Sequence, residues 1–124
     1  MIPTVLQVAL GGAIGAAARY GVGVALFRQG AVFPVGVLAA NIIGCFAIGL
    51  VVVYLGQKPL SHLNPFLMTG VLGGFTTFSA FSLEAYTLFE RGAVGYAAIY
   101  VLLSVALSLV GLVAGVFLMR GLLG

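Results

Sequence analysis

Four apolar stretches run along this chain with only short polar connections between them, at about residues 2–27, 34–56, 63–89 and 93–119. Each is near or above the ~20 residues that an α-helix needs to cross a bilayer. Pro34 suits the first position of a helix, because its missing N–H has no partner there anyway. The connections hold nearly all the remaining polar groups: R-Q-G near Arg28, Q-K-P near Lys58, and E-R-G near Glu90 and Arg91. The expected fold class is all-α and integral to the membrane, with four transmembrane helices in one domain over residues 1–124 and the lipid bilayer as solvent.

Of 124 residues, 63% are hydrophobic and 6% are charged, which excludes an ordinary soluble domain. A formal net charge of +3 is too sparse to build a nucleic-acid patch. Cys45 has no second cysteine to pair with, and one His62 beside one Cys45 does not make a transition-metal site. The first charge after the amino terminus is Arg19, so the basic start of a signal peptide is missing. No set of nucleophile, base and orienting group occurs, so no enzyme is indicated.

The third stretch contains a poor helix, G-V-L-G-G-F-T-T-F-S-A-F at Gly70–Phe81. Gly70, Gly73 and Gly74 weaken a helix, and Thr76 and Thr77 are β-branched with hydroxyls that compete for backbone partners. Unbroken, the third stretch would be ~40 Å long against a ~30 Å hydrocarbon core. A break at mid-membrane disposes of that excess. Irregular backbone survives in hydrocarbon only where protein buries it or it lines a wet or ion-filled space, so the break is a candidate site. The alternative is a glycine face for close helix packing. Phe75, Phe78 and Phe81, interleaved with hydroxyl residues, favour the site.

Polar residues at membrane depth need a partner or a function. Arg19 either snorkels to the interface or places positive potential near an anion path. Asn41 either bonds between helices or donates its NH₂ group to an anion. Tyr100, Ser104 and Ser108 recur every fourth residue and form one polar stripe on the fourth span. Glu84 can carry a proton, pair with an arginine or orient a donor. Asn41, Thr77, Ser79, Tyr100, Ser104 and Ser108 all carry hydrogen-bond donors, and phenyl rings have positive edges. Neutral donors and ring edges suit a small, strongly hydrated anion, because they replace its hydration shell without a fixed charge that traps it. Fluoride fits hard O–H and N–H donors best, although these donors alone do not separate it from chloride.

Gly11, Gly15 and Gly23 share a helical face with Arg19, and Gly111 and Gly115 repeat the G-x-x-x-G spacing of close helix contact. With four spans both termini lie on one side. Lys58 and Arg120 then face Arg28 and Arg91 across the membrane, two against two with Arg19 set aside. Orientation follows an imbalance of such charges, and here there is none. Two copies inserted in opposite directions could pair about a two-fold axis in the membrane plane.

G-G-A-I-G-A-A-A-R-Y at Gly11–Tyr20, P-V-G-V-L-A-A-N-I-I-G at Pro34–Gly44 and the Gly70–Phe81 motif together resemble the Fluc (CrcB-like) fluoride channels, as does the Tyr100, Ser104, Ser108 spacing. The resemblance covers essentially the whole chain. It implies a passive channel of the cell (inner) membrane, built as an antiparallel, dual-topology homodimer with two fluoride pores. By motif position it implies Asn41 as the pore asparagine and Phe78 and Phe81 as the ring edges that meet fluoride. Thr77, Ser79, Glu84, Tyr100, Ser104 and Ser108 match polar pore-lining positions, and Arg19 matches an arginine near the vestibule. The carbonyls of Gly73 and Thr76, from both subunits, match ligands of a structural sodium ion at the dimer interface. Val37 stands where the family often has Thr, and Ala80 where S-T-F is usual; both remove a hydroxyl near the pore.

Three other readings compete. A dual-topology, proton-coupled exporter wants its essential carboxylate near mid-membrane, and Glu84 lies towards an end. A sodium pathway lacks an acidic ring. A non-transporting assembly subunit leaves the hydroxyl stripe without purpose. The charge balance is open to direct test. Carboxyl-terminal reporter fusions are expected to be active on both sides of the membrane, and several lysines added to one loop should lock the orientation. A single orientation of the unmodified chain would refute the balance argument.

Overall fold

Pro3 and Pro34 each stand immediately before a long helix, where a residue that cannot donate costs nothing. The computed structural model describes residues 2–27 and 33–124; Arg28 and the rest of the R-Q-G connection lie outside the described residues. Helix α1 spans Thr4–Ala25 and α2 spans Val35–Gln57. A 3₁₀ turn at Ser61–Leu63 leads into a π-helical segment, Pro65–Leu72, which continues as the single turn α3, Gly73–Phe75. After an interruption, α4 runs over Ser79–Glu90 and α5 over Val94–Leu123. Among the described residues four helical spans are long and apolar enough to cross a membrane, the third being Ser61–Glu90. Large apolar side chains such as Val5, Leu102 and Phe117 point outward, which matches lipid as the surrounding solvent.

Glycine faces set the helix pairs. Gly11 and Gly15 lie so close to the third span that an added Cβ would overlap the Phe66 and Val71 carbonyl oxygens. On α2 and α5, a Cβ at Gly49 would overlap the Leu112 carbonyl oxygen and one at Gly115 that of Phe46. In both pairs the residue numbers rise together, so alternate spans run parallel, as an up-and-down chain requires. A Cβ on Gly36 would lie 3.1 Å from the Gly23 Cα, whereas one on Gly23 would meet nothing within 4 Å among the described residues. The π-helical winding has no signal in the sequence. Its first residues press on α1, where glycines leave room for the wider turn.

The third span is shared between two partners. Its first half packs on α1, and α4 packs on α5. There Phe81, Leu88, Ala97 and Tyr100 form a buried cluster, with Val37 and Leu38 of α2 against it. Gly92, with φ at 83°, makes the tight turn from α4 into α5.

The break is narrower than the sequence suggests. Gly73 keeps helical dihedrals, φ −64° and ψ −37°, and the chain leaves the helix only at Thr76, with φ −89° and ψ 156°. Gly70 and Gly74 serve packing, since a Cβ on Gly70 would lie 2.9 Å from the Gly11 Cα and one on Gly74 2.7 Å from the Gly12 carbonyl oxygen. The α5 helix also runs past the expected end at Met119, because nothing in R-G-L-L stops it and Arg120 in the last turn suits the helix dipole. If the α1 contact is set by bare backbone, Gly15→Ala should destabilise the protein by on the order of 1–3 kcal/mol through overpacking. Gly21→Ala, where a Cβ meets nothing within 4 Å, should leave the thermal midpoint in detergent unchanged.

Candidate ion site at the helix interruption

Asn41 holds the interruption together. Its side-chain Nδ2 donates to the Thr77 carbonyl at 3.0 Å, and its Oδ1 accepts the Thr77 N–H at 2.8 Å. One amide thus satisfies both backbone groups of a residue that has left the helix. Thr77 then caps the helix that follows: its Oγ1 accepts the Ala80 N–H at 3.1 Å and lies 3.2 Å from the Ser79 hydroxyl. The Thr76 hydroxyl turns back to its own helix and donates to the Leu72 carbonyl at 3.0 Å. Arg19 Nε donates to the Gly74 carbonyl at 3.3 Å, so this arginine reaches into the protein at the break.

These bonds determine which carbonyls lose their partners. In an unbroken helix the Thr77 N–H would close on the Gly73 carbonyl and the Ala80 N–H on the Thr76 carbonyl. Asn41 takes the first donor and the Thr77 hydroxyl takes the second. Gly73 and Thr76 are therefore left with carbonyls deprived of their helical donors, and Gly73 is exposed on this chain.

A pocket of ≈ 460 Å³ opens beside the interruption. It brings together Asn41, Thr77, Phe78, Phe81, Ser104 and Ser108, along with Gly73 and Thr76. Ser104 is 5% exposed, and its Oγ is buried without a hydrogen-bond partner. The two rings differ in setting. Phe81 is buried and Phe78 is 76% exposed, with their centroids 5.4 Å apart at an interplanar angle of 57°. Phe75 packs beside Gly44 on α2, away from the pocket lining.

Ser79, Glu84, Tyr100 and Arg19 do not line this pocket. Tyr100 is fully buried, stacks near Phe81 at 5.4 Å between centroids, and donates its phenolic hydrogen to Glu84 Oε2 at 3.0 Å. A phenol has one hydrogen to give, so Tyr100 supports the wall and offers no free donor. Of the three roles open to Glu84, its contact is that of a group orienting a donor. Val37 joins the apolar cluster around Phe81 and Tyr100. The sequence reading missed Cys45, Val105 and Leu109 in the lining. For Cys45 a signal existed: it follows Asn41 by four residues, hence on the same helical face.

Known proteins add independent information. The family model described as CrcB-like protein, Camphor Resistance (CrcB), matches residues 6–116. A Ruegeria protein named "Fluoride-specific ion channel FluC" is 59% identical over 125 residues, covering 99% of this chain and 99% of its own. Proteins of the same name from Cereibacter sphaeroides and Paracoccus denitrificans are 58% and 56% identical, covering 98% and 96% of this chain and the same shares of their own.

The reciprocal amide pair makes a stability prediction. Asn41→Ala strands the Thr77 N–H and C=O together, each at on the order of 1–3 kcal/mol. Asn41→Asp keeps the acceptor but sets a carboxylate oxygen against the Thr77 carbonyl, so it too should lower the midpoint of thermal unfolding in detergent. Equal midpoints for Asn41→Ala and the unmodified protein would show that the pair does not hold the interruption.

Proposed function

The chain belongs to the CrcB-like family, and on that premise we propose that it is a multi-pass cell-membrane channel that passes fluoride down its electrochemical gradient. The observation that carries this reading is the pocket beside the interruption, whose lining includes neutral donors, the phenyl rings of Phe78 and Phe81, and Ser104, whose Oγ is buried and unpartnered. Such a group needs water or an ion. The Asn41 NH₂ has two hydrogens and gives one to Thr77, so the second is free for an anion. Ser108 continues the donor row one turn along. Among the described residues no fixed cation lines the pocket, so an ion bound there can also leave. Glu84 stands outside the lining, which speaks against an exporter that loads a proton in this pocket.

The functional unit in this proposal is two copies inserted in opposite directions, each with the interruption at mid-membrane. The exposed Phe78 ring and the open Gly73 backbone support it, since a second copy would cover both. The same arrangement accommodates sodium. Carbonyls of Gly73 and Thr76 are hard oxygen ligands without helical donors, and two copies would offer four around one hard cation. Its role is structural, tying two interruptions together, and it takes no part in transport.

Fluoride efflux from liposomes, with chloride as control, tests the reading. Fluoride should pass without a proton gradient, and chloride far more slowly; equal rates would remove it. Phe78→Ile should leave a folded, dimeric protein, since so exposed a ring contributes little packing within the chain, yet reduce efflux at least tenfold by removing a positive ring edge. Full flux in Phe78→Ile would remove the ring from the path. Thr76→Ser should retain sodium through purification because the proposed ligand is backbone. Loss of sodium in that variant would point to the side chain instead.

A further inference from the structure

The pocket wall carries one nucleophile that the ion path does not use. Cys45 is a free, half-buried thiol one helical turn beyond Asn41, and it lines the same pocket as Asn41 and Ser108. In the same lining Ser104 is 5% exposed and its Oγ has no hydrogen-bond partner. A buried hydroxyl of this kind calls for a water or an ion. At ~30 Å³ per water, a pocket of ≈ 460 Å³ has room for several. The thiol is therefore within reach of small solutes that enter the pocket.

We propose that Cys45 is a covalent modification site in the wall of the path, where a small thiol-reactive molecule attaches to Sγ and closes the path, and a free thiol reopens it. The proposal rests on the pathway reading above. Its ligand class is the small disulfide or thiosulfonate. The Cys45 thiolate attacks one sulfur of the reagent, a new S–S bond forms, and the old bond to that sulfur breaks. From a disulfide the leaving group departs as a thiolate that takes up the proton Cys45 gave; from a thiosulfonate it departs as a sulfinate anion, and the proton passes to water. Excess thiol reverses the step by the same exchange. No outside oxidant is needed, because the reagent supplies the oxidised sulfur. The adduct stands one turn from the Asn41 amide and within the same lining as Ser104 and Ser108, so it occupies the space an ion must cross.

The chain has one cysteine, so any adduct reports Cys45 alone. The test uses the full chain in liposomes with methyl methanethiosulfonate, a small neutral reagent. Fluoride efflux is measured before treatment, after treatment and after dithiothreitol, with intact mass at each stage. One adduct per chain, an efflux at least tenfold lower, and recovery of both mass and efflux with dithiothreitol are expected. Cys45→Ser should keep its own pre-treatment rate. An adduct with unchanged efflux, equal loss in Cys45→Ser, or no adduct under conditions that label the unfolded chain would overturn the proposal. Absent efflux before treatment would sink the pathway reading and this proposal with it, whereas a fault confined to the treated samples concerns Cys45 alone.

Discussion

A polypeptide that leaves the helix inside an apolar span must still pair its N–H and C=O groups, and here a single side-chain amide does so. Asn41 both donates to and accepts from Thr77. The exchange resembles one rung of an antiparallel ladder, made by a side chain in place of a strand. From that rung the rest of the site follows. The Thr77 hydroxyl becomes free to start α4, α4 can turn away from α1 towards α5, and the two carbonyls left behind are those of Gly73 and Thr76. Without the amide, the choice would be a continuous helix or buried polar groups at several kcal/mol each.

Close packing of bare backbone provides the frame in which one amide suffices. Gly11 and Gly15 bring α1 against the first half of the third span, and Gly49 and Gly115 bring α2 against α5. Between hydrocarbon-facing helices there is little hydrophobic gain, so backbone proximity and shape carry the association. The interruption lies between these pairs, and the pocket opens beside it. Polar side chains from α2, the third span and α5 meet there because helix registers, each set by glycine contacts, put Asn41 level with Thr77 and Ser104.

The walls divide into groups that hold and groups that are free to bind. Arg19, Tyr100 and Glu84 are tied to partners in the chain: Arg19 to the Gly74 carbonyl, Tyr100 to Glu84. Ser104 and the second Asn41 hydrogen are not so tied. In the proposed channel this division separates residues that shape the path from those that touch the ion.

The sequence by itself determined the helical class, the four spans, the presence of a weak point in the third, and the shared face of Tyr100, Ser104 and Ser108. These depend on local quantities: apolar length against bilayer thickness, glycine and threonine propensity, and the period of the helix. It placed the weak point over Gly70–Phe81, because propensity cannot tell a glycine that breaks a helix from one that packs. Tertiary structure decided that. Gly70 and Gly74 stay helical against Gly11 and Gly12, and the chain departs only at residues 76–78, where Asn41, 36 residues away along the chain from Thr77, offers a replacement for the lost helical bonds. The π-helical winding of Pro65–Leu72, the commitment of the Tyr100 hydrogen to Glu84 and the place of Cys45 in the pocket were decided in the same way. Each depends on which groups from distant segments meet, and that is a property of packing rather than of any window of residues.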